Sequence, residues 1–217
     1  MTPGLVIFDM AGTTVEDRGQ VPTAFAETLA ANNITFTADE IARVRGASKR
    51  QAIRSLIAPA DAAQADRIYA EFGANLSTVY AAGGVRAVPG AESVMRELRA
   101  RGIKVALTTG FDHSIVTLLL TTLGWMHNTV DAVVCGDDVA NSRPAPDMIL
   151  LAMKLTGVES PSAVANVGDT TNDLESAARA GVRWNIGVLS GAHAREALER
   201  APHTHIIQSV QELLAVL

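Results

Sequence analysis

The feature that most constrains this chain is where its apolar runs stop. Leu5-Val-Ile-Phe8 is an unbroken β-favouring run that ends on Asp9 and passes at once into Met10-Ala-Gly-Thr-Thr14. A run apolar on both faces suits a strand inside a parallel sheet, covered by helices on either side. In an open α/β sheet, ligands gather at the carboxyl ends of the strands, and Asp9 falls there. Gly12 permits a sharp turn, so that neighbouring N–H groups can face an anion. Taken alone, the decapeptide reads equally well as a strand closing in an Asx-turn.

The rest of the chain decides the fold class. From Val88 onward strand and helix alternate: helix 89–101, strand 104–110, helix 114–123, strand 131–136, helix 146–155, strand 163–169, helix 172–180, strand 183–189, helix 193–200, strand 205–208 and helix 211–216. That alternation predicts a doubly wound, mostly parallel α/β sheet. Residues from about 16 to 86 interrupt it with helical spacing and no good strand. A helix over 22–33 is followed by a capping box at Thr37-Ala-Asp-Glu40 and a helix end at 43–46, with Gly46 as a left-handed cap. A further helix opens at Ser48-Lys-Arg-Gln51 and runs to about 57. Ala62, Ile68, Phe72, Leu76 and Tyr80 then give 59–82 one apolar stripe. The expected organisation is a Rossmann-like core of 1–15 and 87–217 carrying an all-helical insertion of 16–86. The joints fall near Glu16 and Gly83-Gly84.

Composition narrows the partners. With 217 residues, 48% of them hydrophobic, a sizeable core is available. A net charge of −5 and 4% aromatic residues argue against a nucleic-acid partner, which calls for a basic face or stacking platforms. No apolar run approaches a membrane span, and no basic region precedes a hydrophobic one, so neither a membrane partner nor a signal peptide is expected. The single cysteine, Cys135, excludes an internal disulfide and suits a reducing, cytoplasmic setting. The expected partner is a small metabolite, and the chain a monomer or homodimer.

Polar clusters stand at four strand ends: Asp9 to Thr14, Thr108-Thr109-Gly110, Arg143, and Gly168-Asp-Thr-Thr-Asn-Asp173. Each has a plain structural use on its own; Asp169 and Asp173, for instance, suit a helix N-terminus. Together, at one edge of one sheet, they suit phosphoryl transfer through an aspartyl-phosphate. Asp9 is the candidate nucleophile. Its charge repels a phosphate dianion, so cations are needed: Mg2+ on Asp9 and Asp169, and Arg143 with bidentate donors. Thr108, Thr109 and nearby N–H groups are candidate donors to the transferring group, with Gly12, Thr13 and Gly110 beside them.

This ordered set resembles the haloacid dehalogenase superfamily of hydrolases. DMAGT matches its first motif, LTTG its second, Arg143 its third and GDTTND its fourth; the helical insertion resembles its type 1 cap. The resemblance implies Mg2+ held by Asp9, the Ala11 carbonyl and Asp169, with Asp173 as a further acidic group. Most phosphatases of the superfamily have a second aspartate where this chain has Ala11, so the usual acid/base is missing. That substitution is similar to the phosphonatase (phosphonoacetaldehyde hydrolase) branch, as are Arg143 in SRPAP, LTTGF and CGDDV. The branch uses a cap lysine in a G-x-x-K segment to form an imine, an electron sink that lets a carbon–phosphorus bond break. Gly46-Ala-Ser-Lys49 stands at the corresponding point, with Arg45 and Arg50 placed to favour a neutral Lys49 amine by like-charge repulsion. A solvated lysine at a helix start is the plain alternative.

Two departures bear on the substrate. The family histidine three residues after the lysine is Ala52 here, and its methionine before the glycine is Arg45. Arg45 and Arg50 would suit a second anionic group, so an ester or another phosphonate stands beside phosphonoacetaldehyde as substrate. A noncatalytic phosphometabolite-binding relative is the reading motivated by Ala11; a dehalogenase would leave the GDTTND acids without a purpose. His113 follows the second motif and could approach the site, with an exposed helix-start histidine as the plain reading; His203 and His205 lack metal-ligand company, and Cys135, Trp125 and Trp184 read as packing residues.

Overall fold

In the computed structural model, residues 2–37, 40–41, 48–56, 62–126 and 129–217 are described. The expected helix end at 43–46, with Arg45 and Gly46, lies outside them. Six parallel strands form one sheet: β1 (Leu5–Asp9), β2 (Lys104–Thr108), β3 (Ala132–Val134), β4 (Val164–Gly168), β5 (Trp184–Val188) and β6 (His205–Ile207). Their order is β3-β2-β1-β4-β5-β6. The direction of winding reverses beside β1, which opens a crevice at the carboxyl ends of β1 and β4. The structure is thus the expected Rossmann-like α/β core with helices on both faces.

Helices follow the sequence pattern closely. The insertion contributes α1 (Gln20–Ala31), α2 (Lys49–Leu56) and α3 (Ala62–Gly83). The core contributes α4 (Ala91–Ala100), α5 (His113–Leu123), α6 (Asp147–Thr156), α7 (Thr171–Ala180) and the short α8 (Arg195–Leu198). The capping box at Thr37 forms: its N–H donates to Glu40 Oε2 (2.7 Å), and its Oγ1 accepts the Glu40 N–H (3.2 Å). Three elements depart from expectation: the strand expected over 131–136 spans only Ala132–Val134, and two helices differ. The helix expected over 193–200 is only the single turn of α8. The C-terminal segment Val210–Ala215 is a 3-10 helix, whose three-residue repeat brings Val210 and Leu213 onto one buried face.

Side-chain alternation along β1 divides the core. Val6 and Phe8 face a cluster with Met95 and Leu98 of α4 and Ile115 and Leu119 of α5. Leu5 and Ile7 face the other way, against Met148, Ile149 and Ala152 of α6 and Ala177 of α7. Each such buried side chain contributes about 1.5–3 kcal/mol, so the centre of the sheet is held from both sides. The first cluster continues into the insertion through Phe25, Leu29, Ile68, Phe72 and Leu76, with Phe25 and Phe72 edge to face at 5.6 Å. The chain leaves and rejoins the core side by side. Glu16 N–H donates to Arg86 O and Val88 N–H to Thr14 O, both at 2.9 Å. Among the described residues, no helix is long and apolar enough to cross a membrane.

Candidate active site

The expected strand-end residues converge beside the crevice. Asp9 is the last residue of β1 and is 6% exposed; Arg143, from the loop after β3, is 4% exposed. Arg143 Nη1 donates to Asp9 Oδ1 at 2.5 Å and lies 2.6 Å from Asp173 Oδ1. Its Nη2 donates to Thr108 Oγ1 at 2.7 Å. One guanidinium therefore joins the ends of β1 and β2 to the first turn of α7. Burial works against its charge, but Asp173 and Asp9 more than offset that and hold the guanidinium protonated.

Asp169 follows β4, and Asp173 closes the first turn of α7. Asp169 Oδ2 accepts the Ala192 N–H (2.6 Å), and its Oδ1 accepts the Thr13 hydroxyl (3.3 Å). Asp173 and Thr170 form a capping box, with Asp173 Oδ2 accepting both the Thr170 N–H (3.0 Å) and its hydroxyl (2.6 Å). Small residues make the crowding possible. Gly12 is at φ +92°, and a Cβ there, or on Gly191, would overlap the Asp169 carboxylate. Ser190 Oγ donates to Gly12 O at 2.8 Å, tying the loop after β5 to the loop after β1.

Three buried carboxylates face one buried guanidinium. Burial pushes Asp9 up to about 6, with Arg143 pulling it down and Asp173 pushing it further up. Burial, then the charges of Asp9 and Asp173, raise Asp169 well above the usual carboxylate range. The surplus of negative charge on hard oxygens fits a small divalent cation.

A cavity of about 260 Å³ opens over these groups. Asp9, Ala11, Thr109, Gly110, Arg143 and Asp169 line its floor, and Lys49 lines it from the insertion. Lys49 begins α2, is 7% exposed, and carries Nζ 5.7 Å from the centroid of the Phe25 ring. Arg50 is turned elsewhere, 4.9 Å over the Tyr69 ring and 3.7 Å from Asp66. Gly12, Thr13, Thr108 and Asp173 stand one layer behind the lining and orient the groups in front. Thr109 has its N–H on Val134 O (3.0 Å), while its Oγ1 accepts the Phe111 N–H (3.2 Å). Only its hydroxyl hydrogen remains to give.

Sequence reasoning missed the apolar side of this cavity: Val21, Pro22, Phe25, Ile41 and Phe111. It also missed Gly191 and Ala192, whose loop has no motif, and Ser142. Ser142 Oγ accepts the N–H of Ser48, the residue before Lys49, at 3.2 Å; Gln51 Nε2 donates to Ala140 O at the same distance. A separate group, His113, Cys135 and Asp137, has donor atoms within 4.8 Å of one another and does not line the cavity.

The sequence profile of the haloacid dehalogenase-like hydrolases matches residues 3–181. The chain is 31% identical over 203 residues to the phosphonoacetaldehyde hydrolase of Paraburkholderia xenovorans, across 87% of this chain and 76% of that one. It is 32% identical over 205 residues to the phosphonoacetaldehyde hydrolase of Bordetella avium, across 87% and 72%. The solved structure of a hydrolase from Pseudomonas syringae matches with a TM-score of 0.87 at 27% identity, covering 98% of this chain and 96% of that one.

Proposed function

Because the chain belongs to the haloacid dehalogenase-like hydrolases, on their phosphonoacetaldehyde hydrolase-like branch, we propose that it cleaves a carbon–phosphorus bond in a small aldehyde phosphonate by way of phosphorylated Asp9. The observation that carries this reading is the pairing in one cavity: a buried Lys49 and Asp9 line it together, while the position of the usual acid is Ala11.

The amine of Lys49 condenses with the substrate aldehyde and releases water. Asp9 attacks phosphorus, the carbon–phosphorus bond breaks, and its electron pair passes toward the imine nitrogen. An enamine does not need the proton that an alkoxide leaving group takes from an acid, so Ala11 is tolerated. Protonation at carbon and hydrolysis return the aldehyde and Lys49. Water then releases phosphate from Asp9. Arg143 neutralises part of the charge between Asp9 and the phosphorus group throughout, and the Thr109 hydroxyl donates to it. Mg2+ on Asp9, Asp169 and the Ala11 carbonyl, with Asp173 behind, would lower the remaining repulsion and polarise the phosphorus group.

The insertion, residues 16–86, is read as a cap that closes over the core at the paired segments near Glu16 and Arg86. Closure brings Lys49, Phe25 and Val21 over the floor and excludes water. An ester substrate is the second reading, because Ala52 replaces the branch's histidine. Borohydride added during turnover of phosphonoacetaldehyde separates the two. Reductive trapping on Lys49 is expected; phosphatase activity with no trapped lysine supports the ester.

A further inference from the structure

Beyond the phosphoryl-transfer site, and independent of it, lies the group at the ends of β2 and β3. His113 is the first residue of α5, and Cys135 and Asp137 follow β3. Cys135 Sγ is 3.5 Å from His113 Nδ1. A tetrahedral ion bound at about 2.0 Å to nitrogen and about 2.3 Å to sulfur holds those two donors about 3.5 Å apart. The other ring nitrogen, Nε2, is 2.8 Å from Asp138 Oδ1. A carboxylate that takes the second N–H of a ligating histidine fixes the tautomer with Nδ1 free to bind metal. Asp138 Oδ2 also accepts the Cys135 N–H at 2.8 Å, so one side chain orients both donors. Asp137 is the third donor: a His113 ring nitrogen, the Cys135 sulfur and an Asp137 carboxylate oxygen all lie within 4.8 Å of one another.

A Cys–His–Asp relay for nucleophilic catalysis does not fit this geometry. The sulfur is fully buried. Burial, with Asp138, Asp137 and Asp112 around it, pushes the thiol up to about 12, the opposite of what a nucleophile needs. The same negative surroundings attract a cation, which would displace the thiol proton to solvent. Among the described residues, this is the one group of three or more His, Cys or carboxylate side chains whose donor atoms lie within 4.8 Å of one another.

We infer that His113, Cys135 and Asp137 form a second metal site for a borderline divalent ion of the Zn2+ class, distinct from the all-oxygen site at Asp9 and Asp169. Thiolate and imidazole donors select against Mg2+. Gly136 N–H donates to Phe111 O at 2.8 Å, and Phe111 lines the reaction cavity. An ion here therefore staples the loop that carries Thr109 and Gly110 to the end of β3.

Cys135 is the chain's single cysteine, so a thiolate–metal signal has one source. Full-length, metal-free protein is titrated with Co2+ and followed by absorption, then back-titrated with Zn2+. The expected result is one Co2+ with a thiolate charge-transfer band, displaced by Zn2+ and unmoved by excess Mg2+. The band persists in Asp169→Asn, is lost in Cys135→Ser, and weakens about tenfold or more in affinity in the exposed-residue variant His113→Ala. Absence of the band, its survival unchanged in His113→Ala, or its displacement by Mg2+ overturns the site.

Discussion

The two walls of the cavity are built differently. The floor comes from the ends of β1, β2 and β4 and the loop after β3, where parallel pairing fixes the backbone and Arg143 joins Asp9, Thr108 and Asp173 through charge-assisted bonds. The roof comes from the insertion, chiefly α1 and the start of α2, and its lining is apolar apart from Lys49, Asp17 and Gly19. Among the described residues, neutral contacts from α2 to the floor's loops include Ser48 to Ser142 and Gln51 to Ala140. Under the proposed function, the charge that acts on phosphorus sits on the floor and the group that selects the carbon side of the substrate sits on the roof. That proposal makes reactivity and specificity separable.

The strongest way to break that comparison is at Arg143. Replacing it with lysine keeps the charge but loses the fork that reaches Asp9, Asp173 and Thr108 at once. Turnover should fall about 10²–10³-fold for every substrate, measured by phosphate release; a loss confined to aldehyde substrates would assign Arg143 to the roof's role instead.

The floor's surplus charge gives a smaller, thermodynamic effect. Asp9 is pushed up from 3.8 to about 6, and Asp169 is raised as well. The folded chain binds more protons than the unfolded one across that interval, so their contribution to stability falls as pH rises through it. Metal-free protein should melt several degrees higher at about pH 5 than at about pH 7, and Asp9→Asn should shrink the difference. Mg2+ should raise the melting temperature at the higher pH more than at the lower. A metal-free melting temperature that rises with pH in wild type and variant alike would remove the charge-surplus argument.

The smallest effect belongs to the contact between the walls. Ser142→Ala deletes one neutral hydrogen bond beside Lys49, worth about 1 kcal/mol. It should slow borohydride trapping of Lys49 several-fold while lowering global stability by no more than about 1 kcal/mol. A large stability loss with normal trapping would make Ser142 a core-packing residue rather than a link to the roof.

The floor was legible in sequence where a group directly follows an apolar run, because such a run fixes both a strand and its end: Asp9, Thr108 and Asp169 fall there. Arg143, in the loop beyond β3, and Asp173, in the first turn of α7, are marked by the motif resemblance instead. The apolar run of the third strand continues to Cys135 in sequence, but the strand ends at Val134 because the next residues leave the ladder: Cys135 N–H goes to Asp138 and Gly136 N–H to Phe111. The helix over 193–200 was also read too long, since Ala192 gives its N–H to Asp169 and the chain turns only once after it. The roof was half legible. Periodicity marks Phe25 as buried but cannot say that its ring faces Lys49, because α1 and α2 meet only in the folded chain. Arg50, read as a neighbour that would keep Lys49 neutral, is answered by Asp66 and Tyr69 for the same reason. Sequence cannot show that the Thr108 hydroxyl, a candidate donor to substrate, also accepts from Arg143.

The most direct test is to acid-quench the enzyme during turnover with Mg2+ and weigh the peptide that carries Asp9. A phosphoryl group on Asp9, missing from Asp9→Asn and from the metal-free reaction, is the predicted result. Normal phosphate release with Asp9 unmodified, or with the phosphoryl group on another side chain, would contradict it.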